Sequence, residues 1–575
     1  MEYFTPTTWR PLLALGLVMM GSQALAQGAP PVLPGAVQPG RDRPLPQLPT
    51  QPQFDFSIEA PHRSAIGQAV DEVRFVLKDI QVSGAKTLSQ ADLRPLYQRL
   101  IGKEIRLADI LDVADAIEQA YRRRGYILVR AYVPAQRVSD GIFTINVVEG
   151  SVVDVAIQGG TPGTQRQVRG YLQKSLNLSP LPLATMERSL LLTNDLPGIA
   201  ATGVLRPSQG IAGASDIAIV IDQPGFAGGL GVDNRGSRFS GLWSVNADLE
   251  VNSLFGADQL GALVVVSPKD AEQIVGQLRY RTAVGDDGLM AGVTGTITRG
   301  QPGSTLTAFG IFTESWALGA HFSYPLIRNR AETLQIDWGF TAQDAAIELA
   351  GTQINHDRWR VLDASITYLW GNWLGASWLG TLGVAQGVTA LDATQNGDPL
   401  LSRDGGRTDF TKLTGFGRMV LPLPYSLSAV LTGQGQFSFS PLLNGELISF
   451  GGGQIGRGYD PGGITGDHGL GGSLELRYDA PWANSMVLAL QPYLYMEGGS
   501  TWYVHQSTST APALPDQSIA SLGGGARAGR ARPSAISAVA KVRARWVFIA
   551  ASEPDTGGDE QLRRLPACIA ARDGQ

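Results

Sequence analysis

From Trp243 to Asn252 the chain alternates without a break: Trp243, Val245, Ala247, Leu249 and Val251 are apolar, while Ser244, Asn246, Asp248, Glu250 and Asn252 are polar. A strand with that pattern has one greasy and one hydrated face. The pattern recurs downstream. Ile274, Leu278 and Tyr280 oppose Gln273, Gln277, Arg279 and Arg281; Leu334, Ile336, Trp338 and Phe340 oppose Gln335 and Asp337; Leu362, Ala364, Ile366 and Tyr368 oppose Asp363, Ser365 and Thr367. Many such strands predict a transmembrane antiparallel β-barrel, apolar towards lipid and polar towards a wet lumen. A soluble sandwich alternates too. Three features favour the membrane: an export leader, Trp and Tyr clustered near strand ends, and charged inward positions that a packed sandwich core could not hydrate.

Arg10, the apolar run over 12–20 and the small-x-small site Ala24-Leu25-Ala26 make residues 1–26 a cleavable signal peptide. Beyond them no apolar run reaches the ~18 residues of a helical span. A leader ahead of a barrel places the protein in a Gram-negative outer membrane. A net charge of -5, a pI near 5.7 and scattered basic residues give no nucleic-acid footprint. The single cysteine, Cys568, excludes disulfides, and the five dispersed histidines repeat no ligand spacing, so no metal is expected. Gly451-Gly452-Gly453 lacks the Lys-Ser/Thr of a phosphate loop. No nucleotide, no cofactor and no catalytic residue is indicated, and the chain is not read as an enzyme.

Residues 27–72 form a Pro-rich linker, with nine prolines between Pro30 and Pro61. Its one apolar island, Phe54-Asp55-Phe56-Ser57-Ile58, is read as the linker's end, with a docking peptide as the alternative. Residues 73–150 have the texture of a small α+β module: a strand over 75–82, helices over 89–100 and 107–124, and strands over 126–133 and 141–149. In the second helix Leu107, Ile110, Val113, Ala114, Ile117, Ala120 and Tyr121 make one apolar stripe, and Gly125 closes it. A less clear copy fills 151–223, with a strand over 152–157, helices over 165–176 and 184–194, and strands over 201–207 and 215–221. Residues 224–529 accommodate a barrel of about sixteen strands at roughly ten residues each. Trp370, Trp373 and Trp378 flank a turn and fit an interfacial aromatic girdle, with loop packing as the alternative.

At this point a family becomes visible. Gly125-Tyr126, then Val133-Pro134-Ala135-Gln136, Asp140-Gly141-Ile142-Phe143 and Val147-Val148-Glu149-Gly150, resemble the first polypeptide-transport-associated (POTRA) domain of two-partner secretion transporters, the ShlB/FhaC/HecB haemolysin secretion and activation family. Asp233-Asn234-Arg235-Gly236-Ser237, followed by Asn252-Ser253-Leu254-Phe255-Gly256-Ala257-Asp258, is similar to the opening of that family's barrel. Gly456-Arg457-Gly458-Tyr459, with Gly466-Asp467-His468-Gly469 and Leu474-Glu475 behind it, resembles the family's arginine loop, usually Val or Ile, Arg, Gly, then Tyr or Phe.

The resemblance implies tandem POTRA modules in the periplasm ahead of a barrel that recognises an unfolded exoprotein and passes it to the cell surface. The implied partner is a large secreted adhesin or haemolysin with an N-terminal secretion domain; the transporter sits in outer-membrane lipid as a monomer. In the family the loop arginine pairs with an acidic residue on an inner strand, in a Phe-x-Asp pattern. Tyr495-Met496-Glu497-Gly498 is the matching text, so Glu497 is the expected partner, one methylene longer than Asp. A planar guanidinium between glycines can follow a tight path and pair bidentately with a carboxylate. The alternative function is an outer-membrane assembly factor of the BamA type. Such factors usually carry more POTRA copies than two.

The chain's end breaks the pattern. Barrels of this class finish on an aromatic strand, whereas residues 530–575 run into a polar, charged stretch holding Pro554, Gly557, Gly558, Arg563, Arg564 and Pro566, and end Arg572-Asp573-Gly574-Gln575. A frameshift is the expectation for this tail, a divergent but real terminus the alternative, with 540–550 as the one possible strand.

Overall fold

The computed structural model describes residues 56–58, 74–136, 141–208, 214–269, 272–373, 375–453, 455–479, 488–504 and 515–530. The expected signal peptide, most of the Pro-rich linker and the tail from 531 onward lie outside the described residues. The island in the linker does not: Phe56–Ile58 is strand β1.

The first module holds strands β2 (Arg74–Val76) and β3 (Asp79–Ser83), helix α1 (Gln90–Tyr97), β4 (Glu104–Arg106), α2 (Leu107–Arg123), β5 (Arg130–Tyr132) and β6 (Ile142–Val148). The run expected as one strand over 75–82 is two strands. Arg74–Val76 pairs antiparallel with β4 and Asp79–Ser83 parallel with β6, and the chain changes partners at Leu77 and Lys78, whose N–H groups donate to Lys103 and Gly141 carbonyls. Likewise the strand expected over 126–133 is only β5, because Gly125 at φ 87° turns the chain back and Tyr126 N–H caps Tyr121. Ile110, Val113, Ala114, Ile117 and Tyr121 bury the α2 stripe in the module's core.

The motif residues staple this module. Glu149 accepts from Lys86 N–H at 2.8 Å, Thr87 N–H at 2.7 Å, Thr87 Oγ1 at 3.1 Å and Tyr121 Oη at 2.7 Å, which ties the β3–α1 connection to α2. Gln136 continues the ladder beyond β5 with its side chain, donating to Thr144 O and accepting from Thr144 N–H, both at 2.9 Å. A Cβ on Gly141 would lie 2.5 Å from Val76 O, and one on Gly150 2.3 Å from Leu128 O, so only glycine fits either place. Pro134 lies half-buried between β5 and Gln136.

The second module repeats the order with β7 (Ser151–Gly159), α3 (Pro162–Gln173), α4 (Leu183–Asp195), β8 (Ala200–Pro207) and β9 (Ala214–Asp222). Its sheet runs β7–β9–β8 with β1 added outside β8.

Fourteen antiparallel strands follow. They are β10 (Phe226–Asp233), β11 (Ser244–Asn252), β12 (Asp258–Val266), β13 (Gln273–Val284), β14 (Leu289–Gly300), β15 (Ile311–Arg328), β16 (Glu332–Leu349), β17 (Thr352–Trp373), β18 (Ala376–Gly387), β19 (Thr411–Leu423) and β20 (Leu427–Ser438). After a short hairpin, β21 (Ile448–Phe450) and β22 (Ile464–Gly466), the sheet resumes with β23 (His468–Tyr478), β24 (Leu488–Trp502) and β25 (Gln517–Arg530). About sixteen strands are expected; among the described residues there are fourteen, and the outer edges of β10 and β25 have no strand partner. The expected alternation sets the faces: Leu249, Leu278, Leu318, Leu382, Leu470 and Leu494 are exposed on the outer face, a continuous apolar exterior that suits lipid rather than water. Trp370 pairs with Trp378 across the β17–β18 ladder, beside Tyr368.

Three turns of this sheet seat the second module. Thr161 Oγ1 meets Ser253 Oγ in the β11–β12 turn, and Asn252 Nδ2 donates to Pro224 O at 2.9 Å. Asp258 holds that turn by accepting from Phe255 N–H and, at 2.7 Å, from Tyr280 Oη. Lys174 pairs with Asp287 at 2.6 Å in the β13–β14 turn, and Arg328 forks onto Asp195 at 2.7 and 2.8 Å beside the β15–β16 turn. The opening motif of the barrel is thus the seat of the second module. At the other end of β10, Asp233 accepts from Arg235 N–H at 3.0 Å, Asn234 follows, and Gly236 packs so closely on Gly241 O that a Cβ would stand 1.8 Å from it. The turns holding the modules lie at one end of the sheet, and the β20–β23 connection leaves from the other.

Burial raises the Glu149 carboxyl, but the Thr87 N–H, the Tyr121 hydroxyl and the Lys86 N–H outweigh it and hold the group below its ordinary 4.5. A depressed acid contributes stability that is full above 4.5 and lost as pH falls through its lower folded value. Glu149→Ala is expected to cost the first module about 2 kcal/mol. Amide hydrogen exchange of the full chain checks it: Lys86 and Thr87 lose protection in the variant at pH 7, and in the parent only under acid.

Candidate functional site

Between β20 and β23 the chain makes a long loop, and three charged contacts fix it. At its outgoing root Glu446 accepts from Trp359 Nε1 at 2.8 Å and pairs with Lys412 at 2.7 Å, all buried beside Phe410, Leu442 and Leu443. At its return Asp467, wholly buried, accepts from Arg403 Nη1 at 2.6 Å, Leu442 N–H at 2.7 Å and Val504 N–H at 2.9 Å. Gly466 sits just before it, where a Cβ would crowd Trp502 O at 2.7 Å.

The third contact is at the tip. Arg457 donates from Nε to Glu497 Oε2 at 2.8 Å and from its backbone N–H to Glu497 Oε1, so one carboxylate grips both the side chain and the main chain. The extra methylene of Glu gives that reach. Arg457 Nη1 also donates to Glu475 Oε2 at 2.6 Å, and the guanidinium lies 3.7 Å over the Tyr495 ring. The Arg457 and Glu475 side chains are 6% and 5% exposed and Glu497 is 0%, so the group is dry. Ser521 Oγ donates to Glu497 at 2.7 Å, while Arg477 and Arg527 donate to Glu475 Oε1 at 2.6 and 2.7 Å. Three guanidiniums thus face two carboxylates, which satisfies the rule that buried charges are paired.

The expected partner, Glu497, is one of two. Glu475 stands in the family motif yet sequence reasoning gave it no contact with Arg457; its signal was parity. Ser473 pairs with Glu497 and Glu475 with Tyr495 across the β23–β24 ladder, so both carboxylates project from the same face two residues apart along it.

The wall beneath the loop is built of glycine. Phe450 on β21, 2% exposed, lies on Gly469, Gly471 and Gly499, where a Cβ would stand within 3 Å of Ile448, Phe450 and Phe450 respectively. Gly456 needs to be glycine twice over: its φ is 90°, and a Cβ would lie 2.4 Å from Ile519. Tyr459 closes the turn, its N–H donating to Gly456 O at 2.9 Å and its hydroxyl to Ala520 O at 3.1 Å, with Gly458 half-buried between them. The loop therefore lies flat on β23–β25, glycine-padded on one half and ion-paired on the other.

Two strand-edged modules at one end of a membrane-suited sheet, with a charged loop clamped to its polar face, define an outer-membrane transporter of polypeptide chains. The POTRA domain of ShlB type matches residues 75–150, and the haemolysin secretion/activation protein ShlB/FhaC/HecB matches residues 213–528; the chain belongs to that family. Heme/hemopexin transporter protein HuxB of Haemophilus influenzae (strain 86-028NP) is 23% identical over 496 residues, 82% of this chain and 84% of the relative. Outer membrane transporter CdiB of Dickeya dadantii (strain 3937) is 23% identical over 492 residues, 80% of this chain and 82% of the relative. The solved structure of CdiB from Escherichia coli has the same fold, with a TM-score of 0.62 and 18% identity over 82% of this chain and 86% of that one. The family decides between the two expected functions: this is a two-partner secretion transporter of the outer membrane, with its POTRA domain in the periplasm, and it works with a secreted exoprotein.

Gly471→Val puts two methyl groups where the Phe450 ring lies. Overpacking of that kind costs about 1–3 kcal/mol. The expected result is a loop lifted from the wall, with cleavage at Arg457 by trypsin added to intact cells rising several-fold while the barrel stays heat-modifiable on a gel.

Proposed function

We propose that the chain takes a large unfolded adhesin or haemolysin from the periplasm, pairs its N-terminal secretion domain with free strand edges of two POTRA modules, and passes it outward along the path that the clamped loop lines. The observation that carries this reading is the Arg457 group. The loop's tip is held by side-chain ion pairs, the Arg457 N–H, the Tyr459 hydroxyl on Ala520 O and the buried Ile455, not by a sheet ladder, so it can leave the wall without unfolding a strand. Breaking one member of a buried pair costs about 3–5 kcal/mol. That is large enough to hold the loop at rest and small enough for a client in transit to offset.

On the periplasmic side β5 offers an edge with no second partner among the described residues. An extended client segment can add to it through backbone hydrogen bonds, with side-chain pockets giving preference. The clamp of the second module on three turns directs a captured segment to the barrel's near end. The apolar exterior supports a monomer embedded directly in outer-membrane lipid.

Deleting 75–224 should leave a barrel that inserts but does not secrete; wild-type secretion by that variant would remove the modules from client recognition. Arg457→Ala should lower secretion of the exoprotein at least tenfold with the amount of inserted barrel within twofold, and Arg457→Lys should recover little, because an ammonium cannot reach both carboxylates in a fork. The pair Arg457→Glu with Glu497→Arg should recover only part of secretion, since Glu475 then faces the new Glu; adding Glu475→Gln should recover more. Immunoblots of medium and outer membrane read all of these.

A further inference from the structure

The register of the last strands brings further arginines to the polar face beside the Arg457 clamp. Arg418 pairs with Thr432 across β19–β20, Thr432 with Ser473 across β20–β23, and Ser473 with Glu497 across β23–β24, so Arg418 stands on the face that carries Glu497. Arg477, opposite Tyr493, and Arg527, opposite Gln491, lie on the same face, nearer the end of the sheet that seats the second module. Arg418 lies in the field of Arg477, Arg527 and Glu475.

The acids of this patch are already spent. Glu497 is taken up by Arg457 and Ser521, and Glu475 by Arg457, Arg477 and Arg527. Asp479, the next acid towards the seated end, accepts from Gln491 Nε2 at 2.6 Å, and Lys412 and Glu446 pair with each other at 2.7 Å. Even with Asp479 included, the guanidiniums of Arg418, Arg457, Arg477 and Arg527 outnumber the carboxylates. Arg418 is the one left over: its Nε is buried with no hydrogen-bond partner among the described residues. Arg477 gives Glu475 only its Nε, and Arg527, lying 4.1 Å over the Tyr493 ring, gives its terminal nitrogens to Glu475 and Gln491. A charged donor out of water and without an acceptor is costly. The acceptor whose shape fits a guanidinium fork is a carboxylate.

We propose that Arg418, Arg477 and Arg527 form a carboxylate-binding step on the polar wall, which takes Asp and Glu side chains of the extended exoprotein on its way outward. This rests on the reading of the chain as a transporter of unfolded exoprotein. The step differs from the clamp in its use of charge. The clamp is closed on its own two carboxylates, whereas the step keeps donors unspent for a carboxylate from outside. Arg418 is half-buried, so the contact forms at the wet edge of the wall and is weak enough to release a chain in transit. Segments rich in Lys or Arg are repelled from the same place, and the wall thereby favours acidic clients.

The test uses the full chain in detergent with Cys568→Ser as background. The probe is a fluorescein-labelled peptide of four Gly-Glu repeats, and the same peptide with Gln or Lys in place of Glu is the control. The Glu peptide should bind the parent, and Arg418→Gln should weaken that binding about tenfold, the loss of one charge-assisted pair. Arg418→Lys should keep part of it, since the charge remains and the fork does not. Thr432→Cys, the register partner of Arg418, places the contact: it should be alkylated several-fold faster by a bromoacetyl form of the Glu peptide than by that of the Gln peptide, and Arg418→Gln should remove the preference. Sodium citrate separates a free anion from a chain, and should compete only at concentrations far above those of the peptide. Equal binding of the Glu, Gln and Lys peptides, unchanged affinity in Arg418→Gln, or citrate competing as well as the peptide overturns the proposal. No secretion step enters these measurements, so an error in the exoprotein reading shows separately, as wild-type secretion by the chain lacking 75–224.

Discussion

A guanidinium and two carboxylates out of water are costly unless each finds its partner, and the inner wall of β23–β25 is arranged around that requirement. Arg457 can enter only because Glu475 and Glu497 stand two residues apart on one face, because Tyr495 offers its ring, and because Ser521, Arg477 and Arg527 satisfy the remaining carboxylate oxygens. The glycines at 469, 471 and 499 follow from the same need. A loop whose tip must touch the wall has to lie flat against it, and any side chain there would lift Phe450.

The loop's other two fixed points differ in kind. Glu446 with Lys412 and Trp359, and Asp467 with Arg403, sit among Phe410, Leu442 and Leu443, inside a hydrophobic cluster that also gathers the β18–β19 connection. Removing a charge there would unsettle packing as well as pairing. The tip has no such apolar jacket on its ionic side. Its other side carries Ile455, packed with Phe450 and Ile519. At the opposite end the second module is held by ion pairs and hydrogen bonds to three separate turns.

Much of this was legible in the residues. Period-2 alternation marked the strands, the i, i+3, i+4 stripe marked α2, and glycines on both sides of Arg457 marked a loop with a special backbone path. What escaped had no local signature. The run 75–82 reads Phe75-Val76-Leu77-Lys78-Asp79-Ile80-Gln81-Val82 with no Gly or Pro in it, so nothing announces that Leu77 and Lys78 change sheet partners. Glu475 reads as an ordinary strand residue until the ladder register sets it beside Tyr495 and one step from Glu497. Asp195, Asp287 and Arg328 are far apart in sequence and meet only because the second module sits on the turns. β1 is three residues in a proline-rich stretch, and its partner lies almost 150 positions downstream; pairing by backbone alone leaves side-chain patterning silent. Glu149 shows the reverse case, a residue visible as a motif whose work is internal to its module.

The most direct measurement is amide hydrogen exchange at Arg457 in the full chain. Its N–H donates to a fully buried Glu497 carboxylate, so in the parent it should exchange as slowly as the amides of β23, and Glu497→Gln should speed it far more than it speeds β23. Exchange of the Arg457 amide at the rate of an open loop in the parent protein, or no change in the Glu497 variant, would contradict the clamp.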